Sequence, residues 1–221
     1  MENIATTNTA HQEWDLRWKT EEGRKAWSVP VTDVVEVLEL LQEKGAKKVL
    51  DLGCGVGRHS ILMAKSGFAV HALDGSDTGI DHLEDLCKAE NLKISATRAE
   101  MTNLPYRDSH FDYILAWNVI YHGNLSVVKR VLSEVLRILK PGGIFQLTML
   151  SKRNSEYNHG KCISYNTFVN DTDISDKNHP HFYCNSSELM QLLMGFEIIS
   201  IHDKQQVREG SYHWNIVAEK I

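Results

Sequence analysis

The residues of this chain best suited to chemistry lie in the run KVLDLGCGVGR, positions 48–58. An apolar stretch ends in Asp51, and three glycines follow at alternate positions, Gly53, Gly55 and Gly57, with Cys54 between the first two. Glycine reaches positive φ and lets another group come close to the backbone. A helix starting behind such a turn points unsatisfied N–H groups at an anion. The run is therefore suited to hold a polar ligand. Asp51 supplies an acceptor, the backbone from Gly53 to Gly57 supplies donors, and Arg58 supplies a cation. Arg58 either meets a ligand carboxylate or is an exposed arginine at a helix start. A second acid, Asp74, ends the next apolar run and is followed by Gly75 and Ser76. A carboxylate there can accept from both hydroxyls of a ribose; the other reading is a turn or helix-capping aspartate.

These groups need a scaffold that sets strand ends side by side. Apolar positions Val34, Val35, Val37, Leu38, Leu40 and Leu41 predict a helix over 32–44, stopped by Gly45. Strands are expected at 48–52, 68–73, 94–98, 113–117 and 144–150, with helices at 58–66, 78–90 and 126–139. Strands that alternate with helices imply right-handed crossovers and a parallel sheet, which binds ligands at the carboxyl ends of its strands. A helix at 186–194 precedes strands at 197–202 and 212–219. No helix separates these two, so they should pair as an antiparallel hairpin. The stretch 151–180 is polar and long for a loop, as lids and caps are. Residues 1–30 are polar yet carry Trp14, Trp18 and Trp27, so this segment should pack on something.

Composition narrows the partners. The 221 residues suffice for one α/β domain, and 42% hydrophobic with 24% charged residues is ordinary for a globular protein. A formal charge of −5 provides no field for nucleic acid. No apolar run approaches the ~20 residues that span a bilayer, and the N-terminus has no signal-peptide core. Cys54, Cys87, Cys162 and Cys184 form no C-x-x-C pair and read as reduced thiols of a cytoplasmic protein. Eleven histidines are present, but no recognised metal-ligand spacing, so no metal is expected.

The G-x-G-x-G spacing, with Asp51 two residues before Gly53, resembles motif I of class I methyltransferases that depend on S-adenosylmethionine (SAM). The resemblance continues along nearly the whole chain. It implies a Rossmann-like, doubly wound, mostly parallel seven-stranded sheet of order 3-2-1-4-5-7-6 with an antiparallel C-terminal hairpin. In RAEMTNLPYRDSHFDYI it makes Glu100 the acceptor for the adenine amino group and sets the Met101 N–H at the ring. It puts Trp117, Asn118 and Val119 at the adenine and methionine end, and LKPGG (139–143) before strand five. Asp51 and the turn should hold the methionine part of SAM. EWDLRWKTEEGRKAW resembles the lid of small-molecule and tellurite-resistance-type enzymes, so residues 1–30 become a lid. Trp18, Trp14 or Trp27 either closes over the sulfonium or simply packs. His122, after strand four, either takes a proton from the acceptor or is a hydrogen-bonded helix-start histidine. Tyr121, His181 and Tyr183 are candidates for the acceptor pocket, under an insertion at 151–183. The expected protein is a single-domain methyltransferase with a small-molecule acceptor, no nucleic-acid or membrane partner, and a monomeric or homodimeric state. A non-catalytic SAM-binding module is the alternative. An NAD-dependent dehydrogenase is disfavoured by the glycine spacing, which is not G-x-G-x-x-G, and by the terminal hairpin.

Overall fold

The computed structural model describes residues 10–170 and 178–221. Residues 1–9 of the expected lid and 171–177 of the expected insertion lie outside the described residues. Strand β1 (Lys48–Leu52) lies at the centre, with β2 (Ala69–Asp74) parallel on one side and β4 (Phe111–Ala116) parallel on the other. Beyond β2 lies β3 (Ile94–Arg98), and beyond β4 lies β5 (Leu139–Ser151), both parallel. Val49, Leu50 and Leu52 are fully buried, as strands covered on both faces require. The expected hairpin forms: β9 (Phe196–Gln205) pairs antiparallel with β10 (Tyr212–Lys220), which pairs antiparallel with β5. Counting the hairpin strands as sixth and seventh, the order is the expected 3-2-1-4-5-7-6.

Helices α3 (Thr32–Glu43), α4 (Arg58–Lys65), α5 (Asp77–Glu90) and α6 (Leu125–Ile138) cover the sheet. In α6 the Asn124 side chain caps the start by accepting from the N–H groups of Ser126 and Val127. Val127, Val128, Val131, Leu132, Val135 and Ile138 recur at three- and four-residue spacing and are buried, each stabilising by roughly 1.5–3 kcal/mol. The LKPGG segment is continuous with β5, where Asp112 faces the bulged residues Lys140–Gly143 and Gly142 takes φ 71°.

The insertion differs from the irregular loop expected of it. It holds three short strands, β6 (Lys161–Ser164), β7 (Thr167–Val169) and β8 (His181–Cys184), before helix α7 (Ser186–Leu192). The cause is the length of β5, which outruns β4. At Leu150 one edge of β5 pairs with His213 of β10, and the other pairs with Tyr183 of β8. Backbone groups left open by the end of β4 are thereby satisfied. At the N-terminus, α1 (Ala10–Trp18) packs against the start of α5, and α2 (Glu21–Lys25) packs against α1. Among the described residues, no helix is long and apolar enough to cross a membrane.

Candidate functional site

The carboxyl ends of β1, β2 and β4 open on one cavity. The turn after β1 contributes Gly53, Cys54, Gly55 and Arg58, and the end of β2 contributes Asp74 and Gly75. Glu100 and Met101 follow from β3, and Trp117, Asn118, Val119 and His122 from β4. The outer wall is N-terminal: His11, Trp14, Trp18 and Trp27.

The turn is shaped by what lies against it. Gly53 has φ +70°, and a Cβ there would come within 2.2 Å of the Val119 side chain. Gly55 has φ +53° and would meet the Trp18 ring at 3.1 Å. Gly57, at φ 88°, is the residue before α4. The Asp74 carboxylate ties the turn to β2, one oxygen accepting from Gly55 N–H and the other from Ser76 N–H, both at 2.8 Å. Burial raises its pKa, and those donated hydrogen bonds oppose the rise. Each carboxylate oxygen retains capacity for a further donor. Burial, with Asp74 and Asp51 nearby, keeps the Cys54 thiol protonated, so Cys54 serves through its backbone.

Several expected residues are not on the wall. Asp51 is 2% exposed and accepts from Ser60 Oγ at 2.6 Å beneath the turn. Burial lifts its pKa from 3.8 to about 6, against the Ser60 hydrogen bond. Its role is to brace the β1–α4 turn. Gly57 packs against Leu83 where the chain enters α4, and Ser76 caps α5 by accepting from Gly79 N–H. Tyr121, Tyr183 and His181 also lie off the wall. Tyr121 is within 3.3 Å of His213 Nε2, and Tyr183 packs its ring near Tyr157 and Phe168. The strands of the insertion bury these rings, which a loop would have left at the surface.

His11 and His59 line the wall without having been singled out in the sequence. His11 Nδ1 lies 3.4 Å from Glu100 Oε1, and its Cβ covers Gly75. His11, Trp14, Asp15 and Trp18 share one face of α1 by their three- and four-residue spacing, and that was the available signal. His59 accepts from Val31 N–H at 3.3 Å, and burial with Arg58 beside it lowers its pKa to about 3. It is neutral and committed to structure. Trp14 stacks on Trp18 at 5.1 Å, meets Trp27 edge-on at 5.1 Å and approaches His122 at 6.1 Å. Arg58 stands over Trp27 at 4.9 Å and donates to Val29 O.

Asn118, two residues beyond β4, has φ 59°, unusual for a residue other than glycine. A network with Thr148 and Gln206 holds it there. Strain of this kind collects at functional sites. Here it accompanies a carbonyl placed 3.0 Å from His122 Nε2. A carbonyl only accepts, so His122 carries its proton on Nε2. Its Nδ1 then accepts, in the neutral ring, from His179 Nε2 at 2.8 Å. His181 Nδ1 donates to the His179 carbonyl at 2.8 Å. Linear spacing did not show this cluster, because β8 brings 179 and 181 to 122 from across the chain.

This architecture, with its glycine turn and acid-lined cavity at the strand ends, is that of the class I methyltransferases. Residues 49–143 match the family described as methyltransferase domain. A methyltransferase, GfsG, of Streptomyces halstedii is 33% identical over 111 residues, 49% of this chain and 39% of that protein. The chain spans about half or less of the length of the first curated relatives it matches. Among solved structures, the Burkholderia thailandensis 1,6-didemethyltoxoflavin-N1-methyltransferase with bound 1,6-didemethyltoxoflavin and S-adenosylhomocysteine superposes with a TM-score of 0.73 at 16% identity, covering 100% of this chain and 91% of that one. TehB of Haemophilus influenzae gives 0.64 at 18% identity, covering 96% and 67%. At such identities the structures establish the shared fold.

Proposed function

We propose that this chain transfers the methyl group of SAM to a small-molecule acceptor. The observation that carries the reading is the cavity itself. One wall combines the glycine turn, Asp74 and Glu100, and the facing wall is aromatic. The residues fit the cofactor. Trp18 Nε1, buried and on the wall, has no hydrogen-bond partner among the described residues, and a buried donor calls for an acceptor. The bare faces of Gly53 and Gly55 admit a ligand close to the backbone.

SAM supplies a methyl group already activated on a sulfonium. Asp74 takes the ribose hydroxyls, while Glu100 and the Met101 N–H take the adenine. The turn backbone and Arg58 take the methionine carboxylate. Trp117, Asn118 and Val119 shape the floor, and Trp14 and Trp18 present ring faces to the cation. Such a site works by aligning acceptor and methyl and by excluding water, so no side-chain nucleophile is needed. His122 is the catalytic residue of this reading: it is the wall group beside Trp14 whose ring, with that of His179, takes up the acceptor's proton.

Residues 10–30 act as a lid, and β8 stands behind His122 on the acceptor side. One chain walls the cavity, so a monomer suffices and a homodimer is compatible. A charge of −5 and four free cysteines fit a cytoplasmic enzyme without a nucleic-acid substrate. Calorimetry should show binding of SAM and S-adenosylhomocysteine, with NAD binding only weakly; a preference for NAD overturns the cofactor. His122→Ala should keep SAM affinity and lose turnover by roughly 10²–10⁴-fold, whereas a loss below tenfold makes His122 scaffold. Methylation of RNA or DNA, with none of thiols, metalloids, amines or phenols, overturns the acceptor class.

A further inference from the structure

We propose that His122, His179 and His181 form a divalent-metal site of the zinc type at the acceptor end of the cavity. All three are buried, and one ring nitrogen from each lies within 4.8 Å of the other two. Ring centroids stand 4.4 to 4.9 Å apart. Two of the rings are oriented as metal-bound histidines are, with the far nitrogen donating to a main-chain carbonyl: His122 to Asn118 and His181 to His179. That leaves His122 Nδ1 and His181 Nε2 unprotonated, the form a metal requires. The third nitrogen is His179 Nε2, 2.8 Å from His122 Nδ1.

Zn–N bonds of about 2.0–2.1 Å place ligand nitrogens roughly 3.4 Å apart around a tetrahedral ion. Binding therefore parts the His122–His179 pair slightly, draws His181 inward, and moves the His179 proton from Nε2 to Nδ1 without changing the charge of any ring. Three neutral imidazoles favour zinc or another late first-row ion over magnesium or calcium. Three protein ligands also leave a fourth position open, as in catalytic sites. Of the three rings, only His122 lines the cavity, so the acceptor approaches from that side.

The inference rests on the methyl-transfer reading and changes one part of it. An acceptor thiol or hydroxyl that coordinates the ion loses its proton to solvent. Its lone pair then bonds to the methyl carbon, and the C–S electron pair returns to the sulfur of SAM. The anion offsets the dipositive charge, so the favoured acceptors are thiols and acidic hydroxyls rather than amines.

The test uses the full chain, stripped with a chelator and titrated with Co²⁺. One equivalent should give the visible bands of a low-coordinate nitrogen site, and Zn²⁺ should displace them. His179→Gln and His181→Gln should each abolish the bands while leaving S-adenosylhomocysteine affinity unchanged, since neither ring lines the cofactor cavity. Zn²⁺ should raise the melting temperature of the parent chain and of neither variant. Absence of the bands in the parent, or their persistence in both variants, overturns the metal site. Loss of S-adenosylhomocysteine binding by the parent overturns the methyl-transfer reading instead, so the two failures are distinct.

Discussion

Asp15→Ala tests whether α1 is a latched lid. Asp15 Oδ1 accepts from Thr78 N–H at 2.8 Å and from Ser76 Oγ at 2.9 Å, which pins α1 to the first turn of α5. Burial pushes the Asp15 pKa up, but the hydrogen bonds from Thr78 and Ser76 together outweigh it and hold the group at about 2, below its ordinary 3.8. A shift of about two units corresponds to about 2.5 kcal/mol at 1.36 kcal/mol per unit. The side chain is 24% exposed, so solvent screening reduces this to roughly 1–2 kcal/mol. That is a factor of about 5–30 in an opening equilibrium. Hydrogen exchange over residues 10–27 reads the opening directly. Without ligand, the Ala variant should exchange about 5–30-fold faster than the parent at neutral pH. S-adenosylhomocysteine should slow both, because Trp14 and Trp18 sit on the ligand's cavity. The sign with pH follows from the lowered pKa. The latch is whole above pH 3.8 and is lost as pH falls through about 2, where parent and variant should converge. Equal exchange in parent and variant at neutral pH refutes the latch, and exchange unaffected by ligand refutes the lid.

Asp74→Ala should weaken SAM binding by roughly 1.5–3 kcal/mol, the scale of hydrogen bonds to a charged group; an unchanged affinity in a folded variant removes the ribose role. Gly53→Ala places a Cβ 2.2 Å from Val119 at φ +70° and should cost about 1–3 kcal/mol by denaturant unfolding, so an unaltered midpoint contradicts the packing. Asp51, with its pKa raised from 3.8 to about 6, binds its proton more tightly when folded. Its contribution should therefore fall by about 3 kcal/mol as pH rises from about 4 to 6 and stay level above. Carboxyl NMR should find that titration near 6, and higher still in Ser60→Ala, which removes the opposing hydrogen bond. A titration near 3.8 contradicts the burial argument.

The residues proposed to hold the cofactor could be picked out in the sequence because each group of them is local. Each strand end and the turn behind it is a short segment, and a parallel sheet brings those ends together whatever their separation. Asp74, Glu100 and Asn118 thus reached the same cavity by topology alone. Asp51 shows where such reasoning stops. A turn acid was expected to meet the ligand, but Ser60, in the first turn of α4, donates to it at 2.6 Å. Which partner a carboxylate takes is decided by packing, which spacing does not record.

The histidine cluster is written in contacts between distant segments. β8 exists because β5 runs beyond β4, and β8 is what sets His181 opposite His122 as an isolated bridge and brings His179 onto the same ring. A search for ligand spacing sees 179 and 181 as one H-x-H pair in a polar stretch and 122 as a lone histidine. As one cluster the three are not recognisable until the strand register is known. The end of the cavity proposed for the cofactor follows from the common topology, and the histidine cluster proposed to meet the acceptor is built on an added segment paired to the overhang of β5. Removing the overhang should thus dismantle the histidine cluster while leaving the glycine turn and Asp74 in place, because no hydrogen bond links the insertion to either among the described residues.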